Sequence, residues 1–176
     1  SKMRDTGSVM VKYQDAYGVN ALLMAGVAAN ESAWGTSGIC MNKNNLFGLN
    51  AVDSSPGTSA DTYASVEECI RQFAAGYMSG RYLNPNDWRY FGGFLGNKAS
   101  GINVKYASDP YWGEKAANIA WTLDRLGGST DSQVYTLGIK ETDAADYTSV
   151  NVRSAGNTSS KILYRTGTQP AYSVLI

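Results

Sequence analysis

Ala21-Leu22-Leu23-Met24-Ala25-Gly26-Val27-Ala28-Ala29-Asn30-Glu31-Ser32-Ala33-Trp34-Gly35-Thr36-Ser37 is the stretch that decides the fold. It opens behind Gly18, which stops a preceding helical pattern, and Asn20, whose side chain can accept from a free first-turn N–H. Residues 21 to about 33 are apolar on every side, so they predict a central buried helix. Ala25, Gly26, Ala28 and Ala29 are small enough to let a neighbouring element pack close. At the end of this run stands Glu31. Burial disfavours its charged form, and so does the negative end of the helix dipole. Both raise its pKa, and an acid protonated near neutral pH is what general acid catalysis requires. The other reading of the same position is an acid that caps the helix or pairs with a cation just beyond it.

Composition narrows the chemistry. The chain has 176 residues, with 43% hydrophobic and 17% charged, enough for one ordinary domain and a smaller one. Its 15 basic and 15 acidic residues cancel, and no basic stripe points to nucleic acid. It has no histidine, which excludes Ser-His-Asp and Cys-His nucleophiles and removes the commonest zinc ligand. Two cysteines, Cys40 and Cys69, are too few for a disulfide framework or a thiolate cluster, although one bridge between them is possible. No metal and no cofactor is implied. No apolar run reaches membrane-spanning length, and no signal-peptide pattern is seen. Twelve tyrosines and four tryptophans suit a surface that grips something part apolar and part hydroxylic, such as a sugar.

Outward from the central run, Val9 to Tyr17 reads as a first helix. Asn42 to Asn45 are turn formers that could also bind hydroxyl or amide groups. Residues 53–61 form an exposed polar loop. Ser65-Val66-Glu67-Glu68 is a capping box opening a helix with a stripe of Val66, Cys69, Ile70, Phe73 and Tyr77, which explains Glu67 and Glu68 as first-turn acids and Cys69 as a small core residue. From Gly80 to Lys105 the chain is rich in glycine and rings; Trp88 and Tyr90 belong either to the wall of a groove or to loop packing. Asp109-Pro110 predicts the start of a last helix, with Trp112, Ala116, Ile119, Leu123 and Leu126 inward and Glu114 explained by the helix dipole. Residues 129–133 read as a flexible linker. Strand-like runs follow at 134–137, 149–153, 162–164 and 172–176. The last is expected to break off inside a domain.

Three stretches carry a resemblance. Glu31 to Ser37, Asn44 to Ala51 and Asn103 to Trp112 resemble, in order and separation, the signatures of glycoside hydrolase family 73, the endo-β-N-acetylglucosaminidases of bacterial autolysins and phage lysins. Val150 to Ser154 with Ser159 to Lys161 is similar to the start of a bacterial SH3-type cell-wall-binding domain. The resemblance implies an α+β, mainly α fold: a lysozyme-like domain with a substrate groove over residues 1–128, a linker at 129–133 and a partial small β-barrel over 134–176. It implies peptidoglycan glycan strands as the partner, no nucleic acid, no membrane insertion, a monomer, and a secreted, wall-associated or phage-delivered setting. Glu31 is then the general acid and Tyr106 the tyrosine beside the reacting sugar. Trp34, Asn45, Phe47 and Tyr111, with Trp88 and Tyr90, are the candidate substrate contacts. The chain departs from the family in a short lobe after Gly48 that has no second glutamate, which leaves Asp53 as the favoured second carboxylate and Asp61 behind it.

Glycoside hydrolysis needs an acid for the leaving oxygen and usually a second carboxylate. Asp53 could activate water, or the substrate's own 2-acetamido group could attack with Tyr106 beside it; the short lobe favours the acetamido route. Competing readings are a muramidase or lytic transglycosylase, against which Asn45-Leu46-Phe47-Gly48 argues, and a wall-binding protein without catalysis.

Overall fold

The central run forms helix α2, Ala21–Ser32, and the other helices are arranged around it. The structure, a computed structural model, describes residues 1–51, 59–132, 134, 137–139, 150–165 and 173–175. Helix α1 is Gly7–Tyr17, ended by Gly18 in the left-handed region at φ 66°. Asn20 then caps α2, its side chain accepting from the Leu23 amide at 2.8 Å, a contribution of about 1 kcal/mol. No residue from Ala21 to Glu31 is fully exposed, so the helix is central, as its uniform apolarity predicts.

Helix α3, Gly38–Lys43, is an addition to the sequence-based picture, which has only a turn here. Ser37 caps it, its hydroxyl accepting from the Cys40 amide at 3.3 Å. Helix α4, Val66–Gln72, starts at Ser65, whose hydroxyl accepts from the Glu68 amide as the capping box predicts. The Glu68 carboxylate turns the other way, to Arg71 and Gln72. The chain continues without a break into a π-helix, Phe73–Tyr82, and the Leu83 amide closes on the Met78 carbonyl five residues back at 2.8 Å. A short 3-10 turn spans Ile102–Val104.

Helix α5, Trp112–Leu126, begins at a Tyr111 cap. The start predicted at Asp109-Pro110 is two residues early, because the Asp109 side chain is used in a turn to the Tyr111 amide and in an ion pair with Lys115. Leu126 is 82% exposed, so the inward stripe ends one turn before it. Helix α5 makes the broadest helix contact on α2. A Cβ at Gly26 would lie 2.4 Å from the Ala116 carbonyl oxygen and 3.1 Å from the Ala120 Cβ, so the small residues of α2 set how close the two axes come. Residues after α5 are tied down: Asp124 accepts from the Asp131 and Ser132 amides, and Asp131 accepts from Asn20.

Cys40 and Cys69 are buried free thiols, so the possible bridge is not formed. Burial pushes the Cys69 thiol up to about 12, as expected of a core residue. The C-terminal part contributes two two-stranded antiparallel sheets. One pairs β1, Leu137–Ile139, with β4, Ser173–Leu175; the other pairs β2, Asn151–Arg153, with β3, Ile162–Arg165. Ser173 is fully buried against the helices, sharing a 3.1 Å hydrogen bond with Ser79 and donating to the Tyr17 carbonyl. Thus the described chain is mostly helical with small sheets. Among the described residues no helix is long and apolar enough to cross a membrane.

Candidate active site

Glu31 lies in the last turn of α2, half-buried, where the chain is stopped by its own next residue. The Ser32 hydroxyl donates to the Ala28 carbonyl at 2.5 Å and accepts from the Gly35 amide at 2.7 Å. Ala33, Trp34 and Gly35 follow in the left-handed region, at φ 50°, 58° and 73°. This tight stop holds Glu31 at the rim of a cleft of about 570 Å³.

The second wall comes from residues 45–51. Asn45 is 1% exposed; its amide donates to the Leu49 and Asp61 carbonyls and its oxygen accepts from the Leu49 amide. Its side chain is therefore engaged in holding the loop. Phe47 borders the cleft, but the residue is 1% exposed, its ring stacked on Phe73 at 3.7 Å. Gly48 has φ +61°, and a Cβ there would stand 3.3 Å from Glu31 Oε2. A side chain there would be strained by the turn and would press on the acid.

The third wall is the 103–112 segment. Asn103 is buried and its amide donates to the Asp109 and Pro110 carbonyls, closing the loop that presents Tyr106. The Tyr106 hydroxyl donates to the Phe47 carbonyl at 3.4 Å, and its ring stacks on Trp112 with centroids 4.4 Å apart. The Trp112 indole N–H donates to Glu31 Oε1. Burial raises the Glu31 pKa; hydrogen bonds from Trp112 and Asn30 oppose it without cancelling it. The Tyr106 hydroxyl is raised well above its usual value, first by burial and then by the Glu31 charge. Among the described residues Glu31 is the one acid lining the cleft.

The π-helix supplies two more rings, Tyr77 and Tyr82. By sequence Tyr77 reads as part of a core stripe, and Tyr82 falls in the ring-rich stretch that reads as either groove wall or loop packing. In an α-helix residues five apart point about 140° from each other, whereas in a π-helix residue i+5 returns to the same side. Trp112 is also missed as a partner of the acid: its spacing marks it as a core residue, which it is, at 3% exposed. The other aromatic candidates lie outside the cleft lining. Trp34 is 51% exposed on the turn after α2, Tyr111 is 62% exposed at the head of α5, and Trp88 and Tyr90 lie on the loop after the π-helix. Asp61 accepts from Asn50 and Tyr63. Asp53 lies outside the described residues. A second hollow, at the far end of the α2–α5 pair between Leu23, Phe94 and Trp121, holds Asp124, which accepts from chain amides, and Asp131, which accepts from the Asn20 side chain.

A half-buried carboxyl whose pKa is raised by burial, at the edge of an open, tyrosine-walled cleft in a chain with no histidine, is an arrangement that suits the general acid of a glycoside hydrolase. The family model described as "Glucosaminidase: Mannosyl-glycoprotein endo-beta-N-acetylglucosaminidase" matches residues 7–125, and the chain belongs to that family. Two curated relatives, each described as a putative endo-beta-N-acetylglucosaminidase and from two strains of Streptococcus pneumoniae, are each 40% identical over 129 residues. The match takes in 73% of this chain but 19% and 18% of theirs, so the chain spans about a fifth of their length. Among solved structures, the catalytic domain of the autolysin Auto from Listeria monocytogenes is similar at 18% identity, with a TM-score of 0.50 over 70% of this chain and 82% of that one. That likeness speaks to the fold.

Proposed function

We propose that this chain hydrolyses the β-1,4 bond that follows N-acetylglucosamine in peptidoglycan, with Glu31 as general acid. The observation that carries this is the Glu31 carboxyl, raised in pKa by burial and opening onto the cleft between Gly48 and Tyr106. A protonated carboxyl there can deliver its proton to the leaving glycosidic oxygen. The family membership supports the bond type. Mass spectrometry of digested peptidoglycan tests it: the expected product carries N-acetylglucosamine at its reducing end. A reducing or anhydro muramic end identifies a muramidase or lytic transglycosylase instead, and binding without cleavage identifies a wall-binding protein.

The substrate's own acetamido group is the favoured partner of Glu31, since the lobe after Gly48 is short and Tyr106 lines the same cleft as the acid and can steady that group. Asp53 as the base for water is the other route, with carboxyls then ~6.5–9.5 Å apart. Proton NMR of the first product separates them. A β-anomer and little loss in Asp53→Asn are expected for assistance; an α-anomer with a large loss assigns the step to Asp53.

Trp112 gives a signed prediction. Its N–H favours the Glu31 anion, so Trp112→Phe keeps the ring stack on Tyr106 but lets the Glu31 pKa climb further. The alkaline limb of kcat/KM against pH should move to higher pH. An unmoved limb means that another group sets it.

In the proposed organisation residues 1–128 form the catalytic unit, and the strands from residue 134 onward start an SH3-type wall-binding module that adds avidity rather than chemistry. The setting proposed is outside the cell, on or near the wall, with the chain acting as a monomer.

A further inference from the structure

The most exposed large ring in the described chain is Trp88, at 69%, and it belongs to a cluster. Phe91 is 42% exposed, and the Lys105 ammonium stands 5.5 Å from the Trp88 ring centre and 5.6 Å from that of Phe91. Arg89 also approaches Trp88, at 5.1 Å, but Asp87 holds its guanidinium through two hydrogen bonds. Lys105 is different. It is exposed, and among the described residues no acid pairs with it. A cation beside exposed rings gains only a little from them, so the charge is left available.

The cluster adjoins the cleft on two sides. Lys105 is the residue before Tyr106, so their Cα atoms lie about 3.8 Å apart. Arg89 lies near enough to Tyr82 for its charge to act on that hydroxyl. Both tyrosines line the cleft. A chain of sugars leaving the cleft past Tyr82 and Tyr106 therefore meets two open ring surfaces and one positive charge that no described acid pairs. Rings cover the apolar face of a sugar. The ammonium, on a flexible stem, takes an anion without demanding one geometry.

We propose that Lys105, with Trp88 and Phe91, forms a binding station beyond the catalytic cleft for a carboxylate-bearing unit of the glycan, so that acidic strands are preferred over neutral N-acetylglucosamine oligomers. This rests on the glucosaminidase reading above and adds to it the charge of the substrate that is selected. The carboxylate has two sources in peptidoglycan: the lactyl group of a muramic unit freed of its peptide, or the stem peptide itself.

The test measures binding in the Glu31→Gln background, where no cleavage intervenes, by calorimetry at low salt. Three probes are used: neutral N-acetylglucosamine oligomers, strands stripped to free lactyl carboxylates, and strands with stem peptides intact. Lys105→Met is expected to weaken binding of one or both acidic probes five- to tenfold and of the neutral oligomers less than twofold. Lys105→Arg should restore the preference, and added salt should erase it in the parent, since an exposed charge is screened over about 10 Å at 0.1 M salt. The acidic probe that loses affinity names the source of the carboxylate. Equal weakening on all three probes, or none on any, overturns the station. If Lys105 governs acidic binding but the unmutated chain cleaves no glycan, the station stands and the hydrolase reading falls. If the chain cleaves and Lys105→Met binds all three probes as before, the station alone falls.

Discussion

Glu31→Gln is expected to lower the rate of peptidoglycan hydrolysis by roughly 10²–10⁴-fold, the span that a general acid typically supplies. Glutamine keeps the shape and can still accept from Trp112, so the cleft should persist while the proton is lost. The same substitution should stabilise the fold as pH rises, for a reason that can be signed. Burial raises the folded-state pKa of Glu31, so the folded chain holds that proton more tightly than the unfolded one. The resulting stability is fully present below the unfolded value, about 4.3, and is lost as pH rises through the raised folded value. Above that raised value the wild type carries a partly buried charge that glutamine does not. Thermal melts should therefore place Glu31→Gln increasingly above wild type as pH rises, with the two converging toward pH 4. Lost activity with a lower Tm at pH 7 would instead mark Glu31 as a structural carboxylate.

Gly26→Ala is expected to destabilise the chain by about 2 kcal/mol or more, although alanine is the better helix former by about 1 kcal/mol. The added Cβ would meet the Ala116 carbonyl oxygen at 2.4 Å. That atom is backbone, so no rotamer change relieves it and α5 must move off α2; overpacking of this kind costs about 1–3 kcal/mol. The consequence reaches the site, because Trp112 lies one turn before Ala116 on α5 and its indole holds Glu31. Urea unfolding should show a lower midpoint at an unchanged slope, together with a loss of activity. Gly7→Ala is the control: nothing lies within 4 Å of its Cβ position, and it should be neutral or mildly stabilising. Equal midpoints for Gly26→Ala and wild type would mean that the α2–α5 approach is not close-packed.

Local rules carried the reading of the helices well where a side chain answers to its own neighbours. The Asn20 cap, the Gly18 stop and the Ser65 cap follow from interactions spanning three or four residues, and the sequence shows all the partners. The same rules put the start of α5 too early, because Asp109 can serve equally as a cap or as a turn residue and Lys115 settles the choice. They do not show what the motif residues beside the acid are bonded to. Asn45 and Phe47 sit beside the acid, yet one is consumed in holding its loop and the other in a ring stack. Both kinds of role leave the same trace in a sequence, a polar or aromatic residue next to a turn.

The sequence by itself determined that the chain would be built on an apolar helix ending in an acid, that nucleophilic chemistry through histidine was excluded, and that three ordered motifs would surround the acid. Which groups touch Glu31 was decided only by tertiary structure. Trp112 is 81 residues away, and Gly48 lies against the carboxyl only because Asn45 ties its loop to Leu49 and Asp61. Tyr77 and Tyr82 share a wall only because the helix there winds with a wider turn. Hydrophobic periodicity reports burial, which is a property of one residue. A catalytic environment is a property of pairs, and here those pairs are set by how closely α5 approaches the small face of α2.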